Sequence, residues 1–281
     1  MNHLINNLLD IAFAEDIGDG DHTTLCSIPD NAVGKASLII KETGIVAGID
    51  MAVKVFHKLD SQLEVEVLIK EGSRVKPGDV VFTVEGKVQS ILQAERIMLN
   101  IMQRMSGIAT ATNKYVSLIE GTGAKVLDTR KTTPGMRMLE KHAVTFGGGE
   151  NHRVGLFDMI LLKDNHIDFA GGIENAIIGA RNYLEEKNKS LKIEIEVRDM
   201  DELKEVLRVG GVDRVMLDNF TPEETKKAVK LVDGHIEVES SGGITSKTIR
   251  SYAEAGVDYI SVGALTHSVK GLDMSLIATT T

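Results

Sequence analysis

The chain has 281 residues, 42% of them hydrophobic and 26% charged, with a formal net charge of −9, 4% aromatic residues and no tryptophan. That length suits one large α/β unit or a barrel joined to a smaller module, and the composition excludes a collagen-like, low-complexity or disordered chain. The acidic balance and scarcity of stacking side chains argue against nucleic acid as a partner. No apolar run reaches the roughly 20 residues a spanning helix needs, so nothing in the sequence points to a membrane. The single Cys26, with no zinc-like Cys/His spacing around it, fits a reducing, cytoplasmic setting.

In chain order, "MNHLINNLLDIAFAED" lacks a basic leader region and mixes Asn and Asp into its apolar positions, which predicts an amphipathic helix rather than a signal peptide. "GDGDHTT" reads as a turn and helix cap. "KASLIIKE" and "LEVEVLIKEG" have strand character, the second with period two. "GSRVKPGDVVFTVEGKV" predicts a β-hairpin turning at Pro77-Gly78, so the first hundred residues form an α+β module. From Ala94 to Ile119 the period becomes helical: Met98, Ile101, Met102 and Met105 make one buried stripe. Arg96 lies about 170° from the centre of that stripe and must face solvent, a ligand or another subunit.

From Lys125 onward six apolar runs, "AKVLDT", "MILLKDN", "KIEIEV", "DRVMLDN", "HIEVESSGG" and "YISVGAL", alternate with helical segments. The last four begin roughly 22 residues apart, as successive βα units do. Each run gives way to polar or glycine residues at its C-terminal end: Asp128, Lys163 with Asp164, Glu196, Asp218, Ser240 with Ser241, and Gly263. A barrel gathers such ends at one face, whereas a doubly wound sheet spreads them along a crevice. The pattern favours the barrel.

Between Arg130 and Arg153 stand five basic residues (130, 131, 137, 141, 153) against two acids (140, 150), a reversal of sign inside an acidic chain. A solvated charged face interleaves its signs. Here the basic residues border turns and the triple glycine Gly147-Gly148-Gly149, which points to an anionic ligand approached closely by backbone. Arg130 and Arg153 offer planar forks for carboxylate or phosphate; Lys131 and Lys163 are point charges. Glu196 and Asp218 end consecutive runs. They could share Mg²⁺ with substrate phosphates, or bind sugar hydroxyls and stabilise a cationic sugar carbon. Ser241, Gly242, Gly243 and Gly263, after the last runs, are phosphate-binding candidates.

"AEDIGDGDHTT", "AERIMLNIMQRMSGIAT", "LDTRKTTPGMRMLEKHAV", "GGGENHRVGLFDMILLKDNHI", "EIEV", "MLDNF", "SSGGI" and "SVGALTHSVKGLD" together resemble the quinolinate phosphoribosyltransferase family, the decarboxylating nicotinate-nucleotide pyrophosphorylases. The resemblance covers nearly the whole chain. It implies an α/β fold: an N-terminal α+β sandwich domain (1–108), then an incomplete, TIM-like α/β barrel (109–281) whose last residues pack back on the first domain. It also implies a homodimer and an enzyme of NAD biosynthesis. By the same resemblance quinolinate is held by Arg130, His152, Arg153 and Lys163, with Arg96 reaching in from the other subunit. Lys131, Glu196, Asp218, Ser241, Gly242, Gly243 and Gly263 hold phosphoribosyl pyrophosphate and its Mg²⁺, with Lys131, Lys163, Glu196 and Asp218 as the catalytic set. "RVGGVDRVMLD" is one residue longer than the usual family spacing, an insertion expected in a helix-to-strand loop away from the site. Two alternatives stand beside this: a phosphoribosyltransferase for nicotinate or another pyridine acid, and a non-catalytic biotinyl- or lipoyl-type carrier suggested by the "VKPGD" segment alone, which leaves the barrel unexplained.

Overall fold

The computed structural model describes residues 2–279. In chain order the elements are α1 (Asn2–Ile17), α2 (His22–Ser27), β1 (Val33–Ile40), β2 (Gly44–Ile45), α3 (Ile49–Leu59), β3 (Glu64–Val67), β4 (Arg74–Val75), β5 (Val80–Lys87) and α4 (Val88–Leu118). There follow β6 (Lys125–Leu127), α5 (Arg137–Phe146), β7 (Ile160–Leu162), α6 (Asp164–Ala170), α7 (Ile173–Glu186), β8 (Ile193–Val197), α8 (Met200–Val209) and β9 (Arg214–Asp218). The chain ends with α9 (Pro222–Val232), β10 (Glu237–Ser241), α10 (Ile249–Glu254), β11 (Tyr259–Ser261), α11 (Ala264–His267) and β12 (Met274–Thr279). They form two compact units, one of residues 1–113, 132–148 and 264–281, the other of residues 114–131 and 149–263.

The first unit is built on an antiparallel sheet of order β12-β1-β5-β3. Alternation in β1 turns Ala36, Leu38 and Ile40 inward, where Phe56 of α3 meets Phe82 of β5 edge to face at 6.0 Å. The α4 stripe is buried as its spacing predicts, Met98, Ile101, Met102 and Met105 all lying in the core. Asp21 caps α2 by accepting the Thr24 N–H at 3.0 Å, so "GDGDHTT" is a turn and a cap. The expected hairpin does not form. A turn is present at Pro77-Gly78, with Gly78 at φ 93°, but β4 pairs with β2 in a separate two-stranded sheet while β5 pairs with β1 and β3. Local turn chemistry specified the reversal; strands further up the chain, β2 for β4 and β1 with β3 for β5, took the flanks.

The second unit is a six-stranded parallel sheet of order β6-β11-β10-β9-β8-β7. Strands β7 to β11 lie side by side in chain order and β6 returns beside β11, so the order never reverses. A doubly wound sheet needs such a reversal. With right-handed crossovers, single winding sends every helix to one face and leaves the other to line the inside of an α/β barrel, open between β6 and β7 among the described residues. The Leu127–Glu150 bridge adds one residue pair to the free edge of β6. All five residues of β8 are buried, as a strand covered on both faces requires. The loop 210–213, where the lengthened spacing is expected to fall, joins the end of α8 to the start of β9, opposite the carboxyl ends.

Candidate active site

Register determines which side chains share the inner face. Glu194 aligns with Arg214 and Arg214 with Glu237, while Glu196 aligns with Met216 and Met216 with Glu239. Parallel partners point the same way, so inside the barrel Glu194, Arg214 and Glu237 form a lower layer, and Glu196 and Glu239 the next one towards the carboxyl ends. Asp218 and Ser241 are paired above them.

At that end the predicted residues of this unit gather at strand termini. Lys163 follows β7 as the N-cap of α6, and its Nζ lies 3.0 Å from Glu196 Oε2. Asp218 is half-buried and accepts from Asn219 Nδ2 at 2.7 Å. Asn219 takes φ 56° and its N–H reaches Ser241 O at 3.0 Å, locking the two turns together. Gly242 and Gly243 both have positive φ (92° and 60°), and a Cβ on Gly242 would run into the Asn219 side chain and backbone. Glycine takes this positive φ without strain and lets other groups approach the backbone closely. Arg130 and Arg153 follow β6 and the Glu150 edge residue. Burial, and then the neighbouring Arg130 charge, lower the Arg153 pKa; two guanidinium groups held close and partly buried are what an anion with more than one charge would relieve. Lys131 is exposed beside them in sequence, and Gly263 follows β11 half-exposed.

His152 is buried, only 8% exposed; its Nδ1 accepts the Arg153 N–H at 2.7 Å and its Nε2 lies 3.0 Å from Glu194 Oε2. Arg96, in the first unit, is exposed on α4. Two of the five clustered basic residues also belong to the first unit. Arg137 Nε donates to Thr132 Oγ1 at 2.9 Å and Lys141 is buried on α5. Gly147 ends α5 with its Cα side pressed on Ala109 and Thr112 of α4, so this glycine of the triple serves helix packing. Arg104, passed over in the sequence, donates from Nη2 to Glu140 Oε1 at 2.8 Å, and the fully buried Glu140 accepts the Thr133 N–H at 3.2 Å, tying down the far half of "DTRKTTPGMR".

Sequence reasoning also missed the charged interior. Glu194 and Glu239 are both 0% exposed. Arg214 Nη1 donates to Glu239 at 3.1 Å and its ring of donors also reaches Glu237, while Tyr259 stacks 3.9 Å from the guanidinium. Burial pushes both buried carboxyls up to about 7, with the Arg214 and His152 contacts working against it. Burial opposes the Arg214 charge as well, but Glu194 and Glu239 outweigh it and raise its pKa. The available signal was the alternation in "EIEIEV" and "IEVESS": glutamates at every second position of a strand buried on both faces must point inward together.

The fold and these termini define an α/β-barrel protein whose carboxyl face carries basic side chains, carboxylates and a glycine turn. Models described as the quinolinate phosphoribosyl transferase N-terminal and C-terminal domains match residues 21–106 and 108–277. The chloroplastic nicotinate-nucleotide pyrophosphorylase [carboxylating] of Arabidopsis thaliana is 44% identical over 96% of this chain and 81% of that protein. The probable nicotinate-nucleotide pyrophosphorylase [carboxylating] of Bacillus subtilis is 41% identical over 99% and 95%. The solved nicotinate-nucleotide pyrophosphorylase of Francisella tularensis superposes with a TM-score of 0.92 at 41% identity, covering 99% of this chain and 97% of that one. The chain belongs to the quinolinate phosphoribosyltransferase family. No helix among the described residues is long and apolar enough to cross a membrane.

Proposed function

We propose that the chain transfers the phosphoribosyl group of phosphoribosyl pyrophosphate to the ring nitrogen of quinolinate, with decarboxylation, to give nicotinate mononucleotide, pyrophosphate and CO₂ for NAD biosynthesis. The observation that carries the reading is one barrel face on which Arg130, Arg153 and Lys163 stand with Glu196 and Asp218. The cations suit a diacid; the carboxylates suit a ribose carbon that becomes cationic as pyrophosphate leaves. Positioning and fixed charge dominate such a step. Lys131 neutralises charge on the departing pyrophosphate, and the Ser241-Gly242-Gly243 turn with Gly263 offers N–H groups to phosphate. A quinolinate carboxylate that takes the Lys163 ammonium competes with Glu196 for it and frees Glu196 to face the ribose. Alkylation makes the ring an electron sink, the carboxylate next to the nitrogen is lost as CO₂, and Lys163 is the candidate donor of the proton that replaces it.

Glu196 and Asp218, hard oxygen donors at adjacent strand ends, fit Mg²⁺ shared with pyrophosphate oxygens, and the ion when bound would offset phosphate charge. The reading includes a homodimer in which Arg96 of one subunit serves the site of the other, supported by its exposure on α4 away from the core stripe. A reducing cytoplasm is supported by the exposed free thiol of Cys26.

Nicotinate as the acceptor is the second reading. The pairing of two partly buried arginines disfavours it, because a monoacid would leave one fork without a counter-charge. Release of labelled CO₂ from carboxyl-labelled quinolinate, with and without phosphoribosyl pyrophosphate and Mg²⁺, separates the two. Mononucleotide formed from nicotinate, with no CO₂ from quinolinate, would reject the assignment.

A further inference from the structure

Asp128, His152 and Arg153 form a run of hydrogen bonds beneath the site. Asp128 Oδ1 accepts the His152 N–H at 2.9 Å, and His152 Nδ1 accepts the Arg153 N–H at 2.7 Å. An imidazole nitrogen that accepts carries no proton, which puts the ring's single hydrogen on Nε2. That atom faces Glu194 Oε2 at 3.0 Å and Glu239 Oε2 at 3.5 Å, both carboxylates fully buried. The same three side chains bring potential ligand atoms within 4.8 Å of one another. Arg214 Nη1 already occupies Glu239 at 3.1 Å and brings a positive charge into the group, which disfavours a metal ion there. On the other side of the ring, Arg153 is steered in turn by its Nη1 contact with Met159 O at 3.3 Å.

We propose that His152 is a positioning residue: its ring is the Nε2–H tautomer because Nδ1 accepts, Nε2 is turned toward the Glu194 and Glu239 carboxyls, and Nδ1 fixes the Arg153 backbone from which the guanidinium reaches the acid. The assignment of that acid as quinolinate rests on the functional reading above; the tautomer and the backbone hydrogen bond do not. His152→Ala removes the acceptor, whereas His152→Asn returns an amide oxygen close to the Nδ1 position. The alanine variant is expected to raise the quinolinate KM about tenfold, the effect of one lost neutral hydrogen bond, with the KM for phosphoribosyl pyrophosphate unchanged, and the asparagine variant to recover most of the loss. Equal defects in the two variants, or a wild-type quinolinate KM in His152→Ala, would overturn the proposal.

Nitrogen-15 spectra of histidine-labelled wild-type protein test it without activity or mutation. They should show a neutral His152 protonated at Nε2 at neutral pH, and a ring protonated at Nδ1 would overturn it. A divalent ion retained at one per chain after dialysis and lost in Glu239→Gln would overturn it as well. A wild-type protein that releases no CO₂ from quinolinate would sink the substrate assignment and leave the spectra to decide the role of His152.

Discussion

Glu239→Gln gives the sharpest test of the charged barrel interior. The Glu239 carboxyl meets Glu194 from β8, Arg214 from β9, His152 from the loop after the β6 edge and Ser261 from β11. Burial first, and then the Glu194 charge, raise it from 4.5 to about 7. The folded protein therefore keeps a proton that the unfolded chain has released. The stabilisation is complete below about pH 4.5 and is lost as pH rises through about 7. At about 1.4 kcal/mol per pKa unit, the loss from this group is on the order of 3 kcal/mol, and Glu194 titrates with it as a pair. A glutamine keeps the shape and the neutral state at every pH. Urea unfolding at intervals from pH 5 to 8 should show wild-type stability falling more steeply than that of Glu239→Gln. Glu237 supplies a control of opposite sign. Burial works against its charge, but Lys192 and Arg214 outweigh it and lower its pKa, so its contribution is present at neutral pH and fades in acid. Parallel curves for wild type and Glu239→Gln across that range would refute the claim that the buried carboxyl holds a proton in the folded state.

Arg153→Ala should lower kcat/KM for quinolinate by about thirtyfold or more, the cost of leaving a desolvated carboxylate without its partner; steady-state kinetics equal to wild type would remove Arg153 from the site. Arg96→Ala should inactivate, and mixing it with Arg153→Ala under verified subunit exchange should restore part of the activity, whereas no recovery at any ratio would count against a shared site. Gly242→Ala puts a side chain at φ 92° against Asn219, so a loss of about 1–3 kcal/mol in stability and a raised KM for phosphoribosyl pyrophosphate are expected from calorimetry and kinetics. An unchanged Tm and KM would mean that the turn relaxes freely.

Much of the barrel unit was legible because its signals are local. An apolar run that ends in a polar residue, repeated at βα spacing, needs no knowledge of neighbours, and all six such runs became the six parallel strands. The α4 stripe was equally direct, since helical periodicity alone orients Met98, Ile101, Met102 and Met105. The segment around Pro77-Gly78 failed for the complementary reason: a turn signal says that the chain reverses and not what its flanks pair with. Charge counted along a chain does not distinguish Arg130 and Arg153, at strand ends, from Arg137 and Lys141, which lie on a helix of the other unit.

By itself the sequence determined the alternation of strands and helices in the barrel unit, the polar character of every carboxyl end and, through its long motifs, the family. Only the tertiary structure decided that Glu194, Arg214 and Glu239 meet, that His152 faces them, and that Gly147 serves packing. Alternation and periodicity are properties of neighbouring residues and so are written in the chain. Which glutamate on β8 stands near which on β10, and which arginine of β9 lies between them, depends on strand register across more than forty residues. That register is set by the collective burial of the whole sheet.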